Sequence, residues 1–243
     1  MPSPALIART RELWESLAGT AARFAPAISV AVSPRSYLCP PGWTGVVVID
    51  DAAIATAPDH VTARRVQQAL SDLPAASLTD TAVLRGRLKI SEIRGPATLA
   101  YLDPADFHPQ PCGSLARPLD PHDPVLWQFL SAAGTADLEE SGMQEITSPA
   151  FTIREHGHIV AAAGYRDWPC NTAHLCVLTA ATARGRGLAS AAASAAVTHT
   201  IHEGKLPQWR ARPQASRRIT GALGFRELGS QASIRLTAPT PAP

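Results

Sequence analysis

Apolar and polar positions along this 243-residue chain repeat with two periods, one helical and one of short runs bounded by turns. From Pro4 to Phe24, Leu6, Trp14, Leu17 and Ala21 recur at helix-like intervals with Arg9, Arg11 and Glu12 between them, which predicts an amphipathic helix stopped at Pro26. Residues 27–32 and 46–49, separated by a Pro40-Pro41-Gly42 turn, read as strands, and 52–56 reads as another after Asp50-Asp51. Val61, Val66 and Leu70 place a helix over 60–70 with Pro74 beyond it. A strand at 98–102 follows a turn at Gly95-Pro96.

The second half is read the same way. Residues 125–143, opening on the LWQFL pattern, predict one or two helices. Residues 150–154 and 158–165 flank the turn Glu155-His156-Gly157 and form a hairpin. The run Leu175 to Leu178 is too short for a helix and reads as a buried strand within 172–179. After a small-residue turn come Arg184, Gly185, Arg186 and Gly187, then an alanine-rich helix to Glu203 that Gly204 ends. A strand at 208–212, a helix at 215–223, Gly224-Phe225 and two final strands complete the chain.

Composition refines this pattern without redirecting it. Hydrophobic content of 45% against 17% charged residues indicates a globular chain, and 22 prolines imply short elements joined by stiff turns. A net charge of +2 is too small to imply nucleic acid by itself. Cys39, Cys112, Cys170 and Cys176 lack metal-site or redox spacing and read as reduced thiols. With no secretory-type hydrophobic segment and no run of membrane-spanning length, the expected setting is cytoplasmic and away from membranes. The expected organisation is an N-terminal α/β region over 1–110, a proline-rich linker over 111–124, a domain over 125–237 and a disordered tail over 238–243.

The strand, glycine loop and helix around Gly187 carry the candidate chemistry. The first amides of a helix have no internal partner and lie at the positive end of its dipole, so such a junction suits an anion, above all a phosphate. Glycine at 185 and 187 lets a ligand approach the backbone, and Arg184 and Arg186 bring charge beside it. The same residues also fit an ordinary turn with two solvated arginines. His156 with His158, and His199 with His202, lack a third ligand at characteristic spacing, so no metal is expected.

The hexapeptide Arg184-Gly185-Arg186-Gly187-Leu188-Ala189 resembles the R/Q-x-x-G-x-G/A signature of the GCN5-related N-acetyltransferase (GNAT) superfamily, and the elements after it, closing on Gly224-Phe225, follow in that family's order. The resemblance covers roughly residues 121 to 237. It implies a mixed, mostly antiparallel twisted α/β (α+β) sheet flanked by helices. It also implies acyl transfer from acetyl-coenzyme A as co-substrate to an amine of a small, amino-acid-like molecule, with the pyrophosphate on the amides of 184–189 and a carbonyl-polarising amide at Val177, Leu178 or Thr179. The helices near 125–143 would line the acceptor cleft, so Trp127 and Phe129 read as core anchors or as acceptor contacts. The N-terminal region reads equally as a degenerate second copy of that fold or as an unrelated cap.

Catalytic groups follow less directly. The strand 172–179 lacks the glutamate base found in several GNAT members, and His174 is its titratable nitrogen, so His174 is the first candidate base and Glu155 the second. Thr220 stands where many members carry a tyrosine acid, and Pro213 stands where an asparagine is common. Ser216 and Thr220 are therefore the candidates for contact with the leaving sulfur, Ser216 being equally a natural helix cap. Arg210 and Arg212 share one strand face and join Arg217 and Arg218 in a basic cluster. That cluster keeps open a GNAT-fold transferase using an aminoacyl-tRNA donor, and the missing tyrosine, asparagine and strand glutamate keep open a non-catalytic acyl-coenzyme A binder. Oligomeric state is open, a homodimer included.

Overall fold

The structure, a computed structural model, describes residues 2–237, with the side chains of Cys112 and Ser114 left aside; the tail at 238–243 lies outside the described residues. The chain divides into two compact units, one running to Leu99 and resuming at Glu227, the other Ala100–Arg226.

In the first unit, helix α1 (Pro4–Leu17) is capped by Ser3 and buries Leu6, Leu13, Trp14 and Leu17. It ends nine residues before the predicted stop at Pro26, because Gly19 takes a positive φ of 65° and the Leu17 carbonyl accepts from the Tyr37 amide. Strand β1 (Val30–Val32) pairs in parallel with β3 (Ala52–Ala57), which pairs antiparallel with β2 (Thr44–Ile49). Helix α2 (His60–Leu70) matches its prediction and packs Val66 and Leu70 into a cluster with Val46, Val48 and Ala55. The pattern missed α3 (Thr81–Arg87), although Asp80 caps it by accepting from the amides of Ala82 and Val83. Strand β4 (Ile90–Tyr101) runs through Gly95-Pro96, where a turn is predicted. The last strand, β10 (Arg226–Leu236), is one continuous element rather than two, and its antiparallel register with β2 from Gly229↔Ile49 to Ile234↔Thr44 holds it in this unit.

The second unit contains the motif. The segment read as a proline-rich linker holds β5 (Arg117–Leu119), paired antiparallel with β6 (Ala150–Glu155). Two helices, α4 (Pro124–Ser131) and α5 (Thr135–Ser141), occupy the stretch predicted to be helical. Strand β6 continues the sheet to β7 (His158–Trp168) and β8 (Thr172–Thr179), all antiparallel. Strand β9 (Leu206–Ala211) lies parallel to β8. Helix α6 (Leu188–His202) makes that crossover, and α7 (Gln214–Ala222) follows β9. Ala191, Ala192, Ala193 and Ala196 of α6 are fully or almost fully buried against Ala161, Ala163, Tyr165 and Leu175 of the sheet, which is what small side chains permit. The other sheet face packs Ala162, Cys176 and Leu178 against Leu126 and Leu130 of α4, with Phe129 alongside. Trp127 is exposed. Among the described residues no helix is long and apolar enough to cross a membrane.

Candidate active site

The site begins where two strands part. β8 and β9 pair only at Thr172↔Leu206, Ala173↔Pro207 and His174↔Gln208, yet β8 runs on to Thr179 and β9 to Ala211. Beyond that point their facing backbone edges lack a ladder partner and open a slot in the sheet. A cleft of about 690 Å³ lies there, lined by residues of β8 from His174 to Thr179, by the glycine loop, by α5 and by the start of α7.

At one end of the slot stands the N-terminus of α6. Its cap is Gly187, in the left-handed region at φ 78°, and no side chain caps the helix. Gly185, Gly187, Leu188, Ala189 and Ser190 all line the cleft, and a Cβ added at either glycine would meet open space. The hydroxyls of Thr179 and Ser190 are buried in this wall without a hydrogen-bond partner. Unmet buried donors beside an uncapped helix start are the donor set that a phosphate or a thioester-carrying arm would satisfy, so the residues present fit a coenzyme A thioester. Ser190 is a site residue that the sequence reading passed over, although it sits one position beyond the signature, in the first turn of the helix.

The flanking arginines do different work from one another. Arg184 lines the cleft and pairs with Asp137 of α5 at 2.5 Å. Arg186 turns away to make a two-pronged pair with Glu155 at 2.9 and 2.5 Å, tying the loop to the β6–β7 hairpin. Glu155 therefore stands outside the cleft lining, and the Arg186 guanidinium holds its carboxyl below the ordinary range.

At the other end, Arg166, His174 and Gln208 form one row across β7, β8 and β9, by the registers Arg166↔His174 and His174↔Gln208. An amide oxygen can only accept, so the 2.5 Å contact makes His174 Nδ1–H the donor to Gln208 Oε1 and leaves Nε2 as the ring's lone-pair atom. Trp168 stacks on the imidazole at 4.1 Å between centroids, 10° from parallel. Burial, with Arg210 and Arg166 nearby, pushes the His174 pKa down to about 3, against the opposing hydrogen bond to Gln208. His174 is thus neutral and a weak proton acceptor. Burial pushes the neighbouring Cys176 thiol up to about 12, so it too stays neutral.

Of the candidate groups for the leaving sulfur, Ser216 lines the cleft and accepts from the Trp209 indole N–H at 2.9 Å. Thr220 is buried, donates to the Arg217 carbonyl at 2.8 Å and is absent from the lining. Arg210 of β9 and Arg212 just after it both reach the cleft, while Trp209 and Ala211 are buried in the core and Trp209 also borders the cleft. Arg212 pairs with Glu140, and Arg166 with Glu145. These acidic residues were not singled out from the sequence because they lie in a polar helix and turn 72 and 21 positions from their partners.

A strand pair parted beside an uncapped, glycine-started helix forms a cleft suited to a phosphate-bearing ligand, and sequence comparison bears on the same stretch. Residues 149–230 match the model of the family described as GNAT acetyltransferase. Among curated proteins no relative matches the chain. Similar solved structures include a GNAT-family protein from Novosphingobium aromaticivorans (18% identity, 60% of this chain and 65% of that one, TM-score 0.45). A GCN5-related N-acetyltransferase from Kribbella flavida is 17% identical over 64% of this chain and 62% of that one, at a TM-score of 0.47. A protein of Salmonella typhimurium, solved with its cofactor acetyl-CoA, is 18% identical over 61% of this chain and 98% of that one, at 0.33. The chain spans under two thirds of the length of the first two.

Proposed function

We propose that the protein is an N-acetyltransferase that takes acetyl-coenzyme A as donor and a small amine as acceptor. The observation that carries this reading is the opening of β8 from β9 beside an uncapped helix start that holds two unpartnered hydroxyls. Acetyl-coenzyme A would supply the acetyl group as a thioester, whose C–S bond breaks as the N–C bond to the amine forms, the amine's proton leaving with the thiol.

The chain's own contribution is mostly alignment. Amides of the glycine loop and of the first turn of α6 would hold the pyrophosphate, and the free edges of β8 and β9 would hold the connecting arm by backbone hydrogen bonds. By the resemblance, an amide among Val177, Leu178 and Thr179 would polarise the thioester carbonyl in the slot. His174, neutral at physiological pH, can accept an N–H from the acceptor or from a water but does not retain a proton there. An acceptor arriving as free amine then needs positioning more than a strong base.

The test is calorimetry with acetyl-coenzyme A followed by thiol release over an amine panel. Binding with turnover supports the reading. Binding without turnover of any amine would instead favour an acyl-coenzyme A binding protein, a reading to which the low basicity of His174 and the engaged hydroxyl of Thr220 lend weight.

A further inference from the structure

We infer that Asp137 sits on Arg184 as an internal competitor for a phosphate of the donor, and that donor binding exchanges the carboxylate for the phosphate and frees α5 from the glycine loop. This exchange rests on the acetyl-coenzyme A reading of the cleft and adds to it a control on donor affinity.

The two arginines of the loop meet their carboxylates in different places. Glu155 takes Arg186 by two contacts and stands outside the cleft lining. Asp137 takes Arg184 by one N–O contact at 2.5 Å, and both residues line the cleft, with side chains 43% and 51% exposed. Arg184 stands three residues before Gly187, the uncapped start of α6, beside glycines where a ligand would find open space. A phosphate on those amides therefore shares the guanidinium with Asp137. It brings more charge and more acceptor oxygens than a carboxylate, so it is the stronger partner and repels Asp137 from the same cation.

What the exchange does to α5 follows from how that helix is held. None of its residues is fully buried, and Leu138 packs only partway against the cluster of Leu126, Leu130 and Met143. Glycines bound it: Gly134 at the N-cap, where an added Cβ would meet nothing within 4 Å, and Gly142 at the C-cap with φ 64°. Two ion pairs pin it across the cleft, Asp137 to Arg184 at the glycine loop and Glu140 to Arg212 just past β9. Exposed pairs of this kind are weak and readily exchanged. Once the first is given up, α5 stays attached through Leu138 and Glu140 and loosens at the glycine-loop end.

The experiment measures acetyl-coenzyme A affinity by calorimetry in wild type, Asp137→Asn, Arg184→Gln and the double variant, each checked for a melting temperature close to wild type. Asp137→Asn removes the competitor and should tighten binding about fivefold or more, while Arg184→Gln should weaken it by a similar factor. Added to Arg184→Gln, Asp137→Asn should change affinity by less than about twofold, since no guanidinium is left to release. An equal gain in the Arg184→Gln background would show plain repulsion of the donor by Asp137 and overturns the exchange. Unchanged or weaker binding by Asp137→Asn overturns it as well. In the wild type, saturation with acetyl-coenzyme A should quicken amide hydrogen exchange over residues 135–141 while slowing it in the first turn of α6; slowing in both would show that α5 is not freed. Repeating the titrations with acetyl-3′-dephospho-coenzyme A tells which phosphate takes Arg184: a gain that persists assigns the pyrophosphate, and a gain that vanishes assigns the 3′-phosphate. Absence of binding in every form removes the donor reading and the exchange with it, whereas binding without the gain removes the exchange alone.

Discussion

His174 donates from Nδ1 to Gln208 Oε1 at 2.5 Å, across the last paired position of β8 and β9. The contact fixes the imidazole tautomer at the point where the sheet opens, and the amide nitrogen of Gln208 is buried without a partner of its own.

The first prediction concerns acid stability. The native His174 pKa of about 3 lies below the ordinary 6.5, so between those values the unfolded chain binds a proton that the folded chain does not. Stability contributed by this group is complete above 6.5 and is lost as pH falls toward 3. Urea unfolding midpoints should fall over that interval more steeply for wild type than for His174→Gln. Equal slopes would show that the imidazole titrates normally.

Ser190→Ala should separate stability from binding. Removing a buried hydroxyl that has no partner relieves a desolvation penalty on the order of 1 kcal/mol, so the melting temperature should hold or rise. Acetyl-coenzyme A affinity should fall several-fold by calorimetry. A drop in melting temperature with unchanged affinity would contradict the assignment of this hydroxyl to the ligand.

Gly187→Ala forces a Cβ onto a residue at φ 78°, at a conformational cost of about 1–2 kcal/mol, and places it in space that no protein atom fills. A modest loss of melting temperature should accompany a loss of acetyl-coenzyme A binding of about tenfold or more, beyond what conformational strain alone explains. Retained affinity would mean that the ligand does not approach this backbone.

Gly224→Ala should act on folding rather than on the site. A Cβ there would lie 1.9 Å from the backbone oxygen of Asp106, and φ is 92°. Backbone must move, so a loss on the order of 3 kcal/mol or more is expected in chemical denaturation. A near-neutral result would show that the segment carrying Asp106 yields easily, despite the 2.7 Å Asp106–Arg226 ion pair.

Glu155→Gln should leave turnover close to wild type and change the melting temperature little, since the Arg186 pair is exposed and Glu155 does not line the cleft. A collapse of kcat without loss of fold would restore Glu155 as a base acting on the reaction.

The sequence by itself determined the local grammar: α2 from its apolar spacing, the β6–β7 hairpin from its turn, and the strand, glycine loop and alanine helix from residues whose backbone freedom and small size permit little else. It also marked most of the loop that lines the cleft, because a helix start needs only neighbouring residues to become an anion site. The tertiary structure alone decided which charges remain at work. Arg186 and Glu155 neutralise one another outside the cleft, and Thr220 is consumed by a local carbonyl. Arg166, His174, Gln208 and Arg210 become neighbours only through strand register. Register and charge pairing join residues tens of positions apart, and no periodicity within a single segment encodes them, which is why the glycine-loop end of the cleft was legible beforehand and the pairing at its other end was not.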